Sequence, residues 1–196
     1  MASPSGPTDD LVRDAVAGRP EAVDALYARV APRILSYVRM RMGQPLRARM
    51  DSRDILQATL LKSFERFGEF QGSGKPALMA WLARIAEREI LDRADYHQRA
   101  RRSPQREAPL SGEDLLEARV TSVLSRMIRD ERAEKLEAAM EGLSDAHREI
   151  ILLRKFQELS FREIAARLDK SEDACRMLLA RALSALTLRL AGQTPT

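Results

Sequence analysis

The apolar side chains recur at helical spacing along most of the chain and almost nowhere alternate as they would in a strand. Positions three and four residues apart lie on one side of a helix. Between residues 21 and 42 this repeat is carried by Val23, Leu26, Tyr27, Val30, Ile34, Leu35 and Val38. The segment is therefore predicted to be a core helix that is bent or broken before Pro32, because proline cannot donate a helical hydrogen bond.

The same repeat predicts further helices over 9–17, 51–67 and 77–102. A loop over 68–76, which contains three glycines and a proline, separates the last two. The core face of the helix over 77–102 consists of Leu78, Trp81, Leu82, Ile85, Ile90 and Leu91. This spacing places Trp81 in the core, and the alternative is an exposed ring that stacks on a nucleic-acid base.

The helical pattern weakens between 103 and 129, where Pro104 and Pro109 occur and a helix around 115–128 has few apolar positions to anchor it. This segment is interpreted as a linker. Beyond it, "ERAEKLEAAMEGL" and "DAHREIILLRKFQ" predict two helices of a second domain, the latter opened by Ser144 as its N-cap.

The stretch "SFREIAARLDKSEDACRMLLARALSAL", residues 160–186, predicts a helical hairpin. Ser160 and Glu163 have the spacing of a capping box, and Ser171 is the expected N-cap of the second helix. One continuous stripe on that helix faces the first and contains Cys175, Leu178, Leu179, Ala182 and Leu186. The pattern is typical of a helix-turn-helix, whose second helix enters the major groove of DNA. An ordinary hairpin in a helical bundle is the alternative.

Composition agrees with an all-α fold, because only 5% of the 196 residues are aromatic and runs of β-branched residues are nearly absent. A lone Cys175 and two histidines, His97 and His147, predict neither an internal disulfide nor a metal site, and no cofactor is expected. The chain shows neither a leader nor a long apolar run, so it is expected to be cytoplasmic.

The net charge is only +4, but it is unevenly placed along the chain. Residues 99–106 contain four arginines and no acid, whereas residues 107–118 contain four acids and no base. The basic run could bind a polyanion or could be a plain solvated surface.

Two blocks of the sequence resemble one protein family. Residues 136–186 resemble the promoter-reading domain of bacterial sigma factors, with L-x-x-L, R-E, L-R, E-I-A-x-x-L and R-A-x-x-x-L in order. Upstream, "DSRDILQATLLKSFERF" (51–67) is similar to the family's polymerase-binding helix, and "AWLARIAEREILD" (80–92) to its W-L-x-x-I-A segment. This pair of blocks resembles the extracytoplasmic-function subfamily of the sigma-70 family.

The resemblance implies two small helical domains joined by a flexible linker, the second of them a helix-turn-helix. The expected divisions are a disordered start (1–8), a sigma region 2-like domain (9–102), a linker (103–129), a sigma region 4-like domain (130–191) and a tail (192–196). By the same resemblance the first domain binds core RNA polymerase and the minus-ten promoter element, and the second binds the minus-thirty-five element.

The resemblance also implies roles for individual residues. Asp54, Gln57 and Lys62 match the polymerase-binding surface. The loop over 68–76 would hold an unstacked base of the minus-ten element. The residues expected to track the DNA backbone beside that loop are Arg84, Arg88, Arg99, Arg101 and Arg102.

In the second domain Arg176 and Arg181 are expected to contact the minus-thirty-five element, and Lys170 and Ser171 its phosphates. Arg176 is the expected specificity residue, because arginine pairs with guanine through two hydrogen bonds. Four positions depart from the family pattern: Arg88 replaces asparagine, Asp95 arginine, Asp169 glycine and Cys175 valine. Cys175 is interpreted as a buried thiol, with a redox switch as the alternative.

The leading hypothesis is a dissociable promoter-specificity subunit without a catalytic site. Its expected partners are core RNA polymerase, promoter DNA and an anti-sigma protein. Two alternatives remain open on the sequence. One is a free-standing helix-turn-helix regulator, and the other is a sigma-like adaptor that no longer opens promoters.

Overall fold

The computed structural model describes residues 7–100, residue 120 and residues 131–192. Every regular element in those ranges is helical, which confirms the predicted all-α fold class. The first group of helices consists of α1 (Pro7–Val16), α2 (Pro20–Arg47), α3 (Ser52–Glu65) and α4 (Gly74–Ala100). The second group consists of α5 (Glu131–Glu141), α6 (Asp145–Ile151), α7 (Phe161–Leu168) and α8 (Glu172–Gly192).

Most of the predicted linker lies outside the described residues, so its flexibility stays a prediction. The helix expected around 115–128 is described only at Val120, which is helical and buried. Arg101 and Arg102 also lie outside the described residues.

Helix α2 is the central element, and the predicted break before Pro32 is wrong. The helix continues through Pro32, because the turns on both sides are held by buried side chains such as Val30 and Ile34. The backbone leaves helical geometry instead at Gly43, where φ is 63°. Glycine adopts this left-handed conformation without steric cost.

Helix α1 begins at Pro7, two residues before the predicted start, with proline at the first helical position where its missing N–H costs nothing. The carboxylate of Asp9 accepts a hydrogen bond of 2.6 Å from the backbone amide of Lys75. This amide lies in the first turn of α4 and has no partner within its own helix. Asp9 therefore fixes α1 against the start of α4.

An aromatic cluster supports the segment between α3 and α4. Phe67 contacts the rings of both Phe70 and Trp81, with centroid distances of 5.9 and 6.2 Å, and Tyr27 stacks on Phe64 at 3.9 Å. Trp81 is partly buried and packs against the core, as its spacing predicted. The loop is shorter than predicted, because Phe67–Glu69 forms a 3-10 turn and α4 already begins at Gly74.

One predicted core residue of α4 is wrong. Leu91 is 58% exposed, whereas Leu82 and Ile90 on the same helix are buried. Leu91 directly follows the buried Ile90 and points about 100° away from it around the helix axis. The helical repeat of apolar residues alone therefore did not show whether Leu91 is buried.

In the second group, Ser144 precedes α6 and its hydroxyl accepts from the His147 amide, which confirms the predicted N-cap. A π-helical segment, Leu152–Phe156, continues α6 and widens its last turn. On α8 the predicted inward stripe is confirmed, because Cys175, Leu179, Ala182 and Leu186 are buried and Leu178 is partly buried.

The two groups pack against each other along α2 and α4. Glu87 on α4 is 8% exposed and accepts hydrogen bonds from Arg41 (2.6 Å), Gln157 (3.1 Å) and Arg167 (2.6 Å). Gln157 also donates to the Tyr37 hydroxyl at 2.8 Å, and Arg41 pairs with Glu149. We call these six side chains, Tyr37, Arg41, Glu87, Glu149, Gln157 and Arg167, the central network.

Substitution of Gly72 by alanine should destabilise the fold beneath the loop. A Cβ at this position would lie 2.7 Å from the Phe70 ring and 2.8 Å from the Ala77 Cβ. Overpacking of this kind costs about 1–3 kcal/mol. Urea unfolding followed by the fluorescence of the single tryptophan, Trp81, measures the loss. Gly68→Ala is the matched control, because a Cβ there has nothing within 4 Å; equal stability of the two variants would contradict the packing described here.

Candidate nucleic-acid interface

The first helix of the hairpin, α7, is fixed by the capping box that the sequence predicted. The Ser160 hydroxyl accepts from the Glu163 amide at 3.2 Å, and the Ser160 amide donates to the Glu163 carboxylate at 2.7 Å. Two of the unpaired amides at the helix start are thereby satisfied. Ile164 and Ala165 are buried, and they hold α7 against the core.

The turn between α7 and α8 passes through Asp169, which has a left-handed backbone with φ of 51°. Glycine favours this conformation, and aspartate is one of the few other residues that adopt it readily. Asp169, which stands where the resemblance expects glycine, is therefore compatible with this left-handed turn. Ser171 then caps α8 by accepting from the Ala174 amide at 3.1 Å, which confirms its predicted capping role.

The exposed side of α8 presents Arg176 in a defined position. Its guanidinium donates to Glu172 at 2.9 Å and to Asp173 at 2.7 Å, and it lies over the Phe161 ring at 5.1 Å. Both carboxylates occupy the first turn, where negative charge complements the helix dipole. Arg176 is thus tied to the first turn of its own helix and remains half exposed.

The other predicted DNA contacts of the hairpin are also exposed. Lys170, Ser171 and Arg181 all reach solvent, but Arg181 is five residues after Arg176 on α8 and so points about 140° away from it around the helix axis. Cys175 is fully buried, which agrees with its interpretation as a packing thiol. The hairpin therefore separates an apolar inner face from an outer face that carries charges of both signs.

On α4 the predicted backbone contacts are only partly described. Arg84 and Arg88 are exposed and lie four residues apart, on the same side of the helix as Glu87. Arg99 belongs to α4, but its side chain is outside the described residues. Asp95 is exposed on the same helix.

The predicted polymerase-binding residues lie on α3. Asp54 is exposed, Gln57 is partly buried, and the Lys62 ammonium is half exposed and pairs with Glu89 of α4. Asp54 and Gln57 are three residues apart and share one side of the helix, whereas Lys62 is turned away from them. The structure thus brings two of the three together and ties the third to α4.

Comparison with known proteins identifies the two blocks. A model of "Sigma-70 region 2" matches residues 26–102, and a model of "Sigma-70, region 4" matches residues 133–186. The curated "ECF RNA polymerase sigma factor SigD" of Mycobacterium tuberculosis is 27% identical over 186 residues, which cover 91% of this chain and 81% of that protein. The chain belongs to the extracytoplasmic-function subfamily of the sigma-70 family.

This sigma factor is also similar to two solved structures, each with a TM-score of 0.47. One is CnrH in complex with the cytosolic domain of CnrY, at 23% identity over 95% of this chain and 99% of that one. The other is the sigma factor RpoE in complex with the anti-sigma factor NepR from Bartonella quintana, at 18% identity over 86% and 96%.

As a sigma factor, the protein works with core RNA polymerase at promoter DNA in transcription initiation. Among the described residues, no helix has both the length and the apolar character needed to cross a membrane. The same described residues contain no group of three His, Cys, Asp or Glu side chains that could hold a metal ion.

Sequence reasoning missed two features beside the sigma factor's hairpin, the aromatic ring of Phe161 and the central network. Phe161 supports Arg176 and also lies 5.4 Å from the Arg154 guanidinium. Its position directly after an N-cap serine was a possible signal, because an aromatic there can reach the next helix. The central network had no such signal, since its members are far apart in sequence.

Removal of the Ser160 hydroxyl should weaken the hairpin without touching its outer face. Ser160→Ala is expected to lower the free energy of unfolding by about 1 kcal/mol, the usual value of a serine cap. Thermal and urea unfolding of the full chain measure the change. Ser184→Ala on the exposed side of α8 is the control, and it should not lower stability because alanine is the better helix former.

The capping box should also make the free energy of unfolding depend on pH in the acidic range. Hydrogen bonds from the Ser160 hydroxyl and amide hold the pKa of the Glu163 carboxyl below its ordinary value. Because the folded-state pKa is the lower one, this stabilisation is present above the ordinary pKa and is lost as pH falls through the folded-state pKa. Glu163→Gln should therefore be less stable than wild type at pH 7, with the difference shrinking towards pH 3. A difference that is constant with pH would contradict this assignment.

Proposed function

We propose that the first helical group of this sigma factor, over 9–102, binds core polymerase and the minus-ten element, and that the second, over 130–191, reads the minus-thirty-five element. The observation that carries the second part is Arg176, which is presented on the outer face of a capped helix-turn-helix. The second helix of such a motif enters the major groove with its N-terminal residues against the bases.

The contacts of Arg176 suit it to read a base. Glu172, Asp173 and the Phe161 ring hold its guanidinium at the N-terminal end of α8, and binding to a guanine would exchange the two carboxylate bonds for two bonds to the base. An arginine bound to guanine through two hydrogen bonds is worth about 1–3 kcal/mol of discrimination. Lys170 and Arg181, exposed on either side, would neutralise phosphates and set the register.

In the first group, polymerase binding is assigned to the exposed side of α3 around Asp54 and Gln57. Lys62 would act less directly, since its ammonium already pairs with Glu89. Arg84 and Arg88 on α4 would hold the phosphates of the melted strand, beside the loop at Gly72 where a base could be received. The same role in phosphate binding is proposed for Arg99, Arg101 and Arg102, whose side chains lie outside the described residues.

The protein would supply recognition and no catalytic step of its own, and it would act in the cytoplasm, where polymerase and promoter DNA meet. Its catalytic partner is the polymerase. An anti-sigma protein stays a prediction for this chain.

Run-off transcription with core polymerase tests the assignment. Arg176→Ala should reduce transcription from a promoter with both elements about tenfold or more, because a base contact worth about 1–3 kcal/mol is lost. Its affinity for core polymerase should not change. Gln57→Ala should do the reverse, weakening polymerase binding in a pull-down while leaving binding to a minus-thirty-five duplex unchanged.

The matched control is Arg13→Ala, which removes an exposed arginine paired with Asp10 on α1 and should leave both measurements unchanged. Tight duplex binding with no polymerase association would indicate a free-standing regulator. Polymerase binding with no run-off product would indicate an adaptor that does not open promoters. Either result would overturn the proposed function.

A further inference from the structure

A cavity of about 490 Å³ lies beside α2, and its other walls come from α5, α8 and the π-helical end of α6. Small-molecule sites in proteins usually have volumes of about 300–1,000 Å³. Among the described residues, none of those assigned above to polymerase or DNA lines this cavity. It is therefore large enough for a small organic molecule and separate from the surfaces discussed so far.

One side of α2 forms the longest wall of the cavity. Arg29, Arg33, Ser36 and Met40 line it at intervals of four, three and four residues, so they follow one side of the helix. A helix rises 1.5 Å per residue, so this row of side chains extends over about 16 Å. The cavity is elongated, with Arg29 towards one end and Met40 towards the other.

The end of the cavity near Arg29 is basic. The Arg33 guanidinium donates to the Lys155 carbonyl at 3.1 Å and lies 5.2 Å from the centre of the Phe156 ring, so Arg33 is held beside Lys155. Arg29, Arg33 and Lys155 all reach solvent. Among the described residues that line the cavity, these three are cationic and none is acidic. An anion would be attracted to this end.

The opposite end is apolar and buried. Met40 of α2 and Met140 of α5 both line the cavity, and each is only 1% exposed. They lie at the same end, because Ser36, one turn before Met40, donates at 2.8 Å to Glu137, which is just under one turn before Met140. Methionine side chains are flexible and adapt to the shape of an apolar ligand.

One carboxylate lies close to the cavity without lining it. Glu137 is 6% exposed, and it accepts from Ser36 at 2.8 Å and from Arg39 at 3.3 Å. Its charge is therefore paired within the wall, and the Ser36 hydroxyl is already used as a donor. Neither group supplies a polar contact for a ligand in the apolar end.

From this polarity we infer that the cavity binds a small anionic amphiphile, a molecule with one carboxylate or phosphate head and a single alkyl chain. The head would bind to Arg29, Arg33 and Lys155 through charge-assisted hydrogen bonds. The chain would lie along α2 towards Met40 and Met140, where burial of its methylene groups favours binding.

Other classes of ligand fit only one end of the cavity. A nucleic-acid backbone would use the three cations but leave the apolar end empty, whereas a neutral hydrocarbon would fill the apolar end and leave the cations unused. The inference goes beyond the proposed function, because it concerns none of the residues assigned to polymerase or DNA.

Calorimetric titration and thermal unfolding of the full chain test the ligand class. The ligands are decanoate and decyl phosphate, each kept below the concentration at which it forms micelles. Inorganic phosphate, which has no chain, and decyltrimethylammonium, which has the same chain and the opposite charge, are the controls. At least one of the two anionic amphiphiles should saturate a single site and raise the Tm, because a ligand that binds the folded state stabilises it. Both controls should bind at least about tenfold more weakly, because each lacks one of the two contacts.

Two variants locate the site. Arg29→Gln combined with Lys155→Gln removes two head contacts, keeps the contacts of Arg33, and should weaken binding at least about tenfold. Ala133→Leu adds a side chain to the cavity wall on α5 and should weaken binding at least about fivefold by filling the space. The matched controls are Arg13→Gln on α1 and Ala138→Leu on the exposed side of α5, and both should bind as wild type does.

Affinity that is equal in wild type, the double variant and Ala133→Leu would overturn the assignment to this cavity. If Ala133→Leu does not fold, the double variant decides alone, since both of its positions are exposed. Equally tight binding of decyltrimethylammonium, or no saturable binding of either anionic amphiphile, would overturn the ligand class. Run-off transcription with core polymerase tests the proposed function separately from all of these results.

Discussion

The buried carboxylate of Glu87 is the group on which the arrangement of the whole molecule depends. It sits on a helix of the first group, yet two of its three donors, Gln157 and Arg167, come from the second. An unpaired charge at this depth would cost several kcal/mol, so the carboxylate favours any arrangement that supplies its donors. Apolar side chains of both groups belong to one buried core, and Tyr37 contacts Phe156 across the contact, so the polar bonds of Glu87 add directional constraints to apolar packing.

The local features of the fold could be predicted from the sequence because they depend on neighbouring residues. The N-caps at Ser144 and Ser171, the capping box at Ser160 and the inward stripe of α8 follow from spacing and propensity, and the structure confirms them. Asp169 is a further local feature, because aspartate adopts the left-handed backbone conformation that glycine would also allow. The family assignment followed from two such local blocks.

Features that depend on tertiary contacts could not be predicted. Pro32 does not interrupt α2 because buried neighbours on both sides hold the helix, and Leu91 is exposed although it adjoins an apolar repeat. Members of the central network are spread from Tyr37 to Arg167, and no periodicity connects them. The residues assigned to polymerase and DNA stay predictions, because exposure and charge show that a side chain is available but not what it binds.

The π-helical segment Leu152–Phe156 sets which way the chain leaves α6. It holds one more residue per turn than an α-helix would, and the Gln157 amide closes it on the Leu152 carbonyl at 3.1 Å. Deleting a single residue there would restore ordinary winding and swing Gln157 by about 100° around the axis. A chain one residue shorter here would therefore lose the bonds from Gln157 to Tyr37 and Glu87.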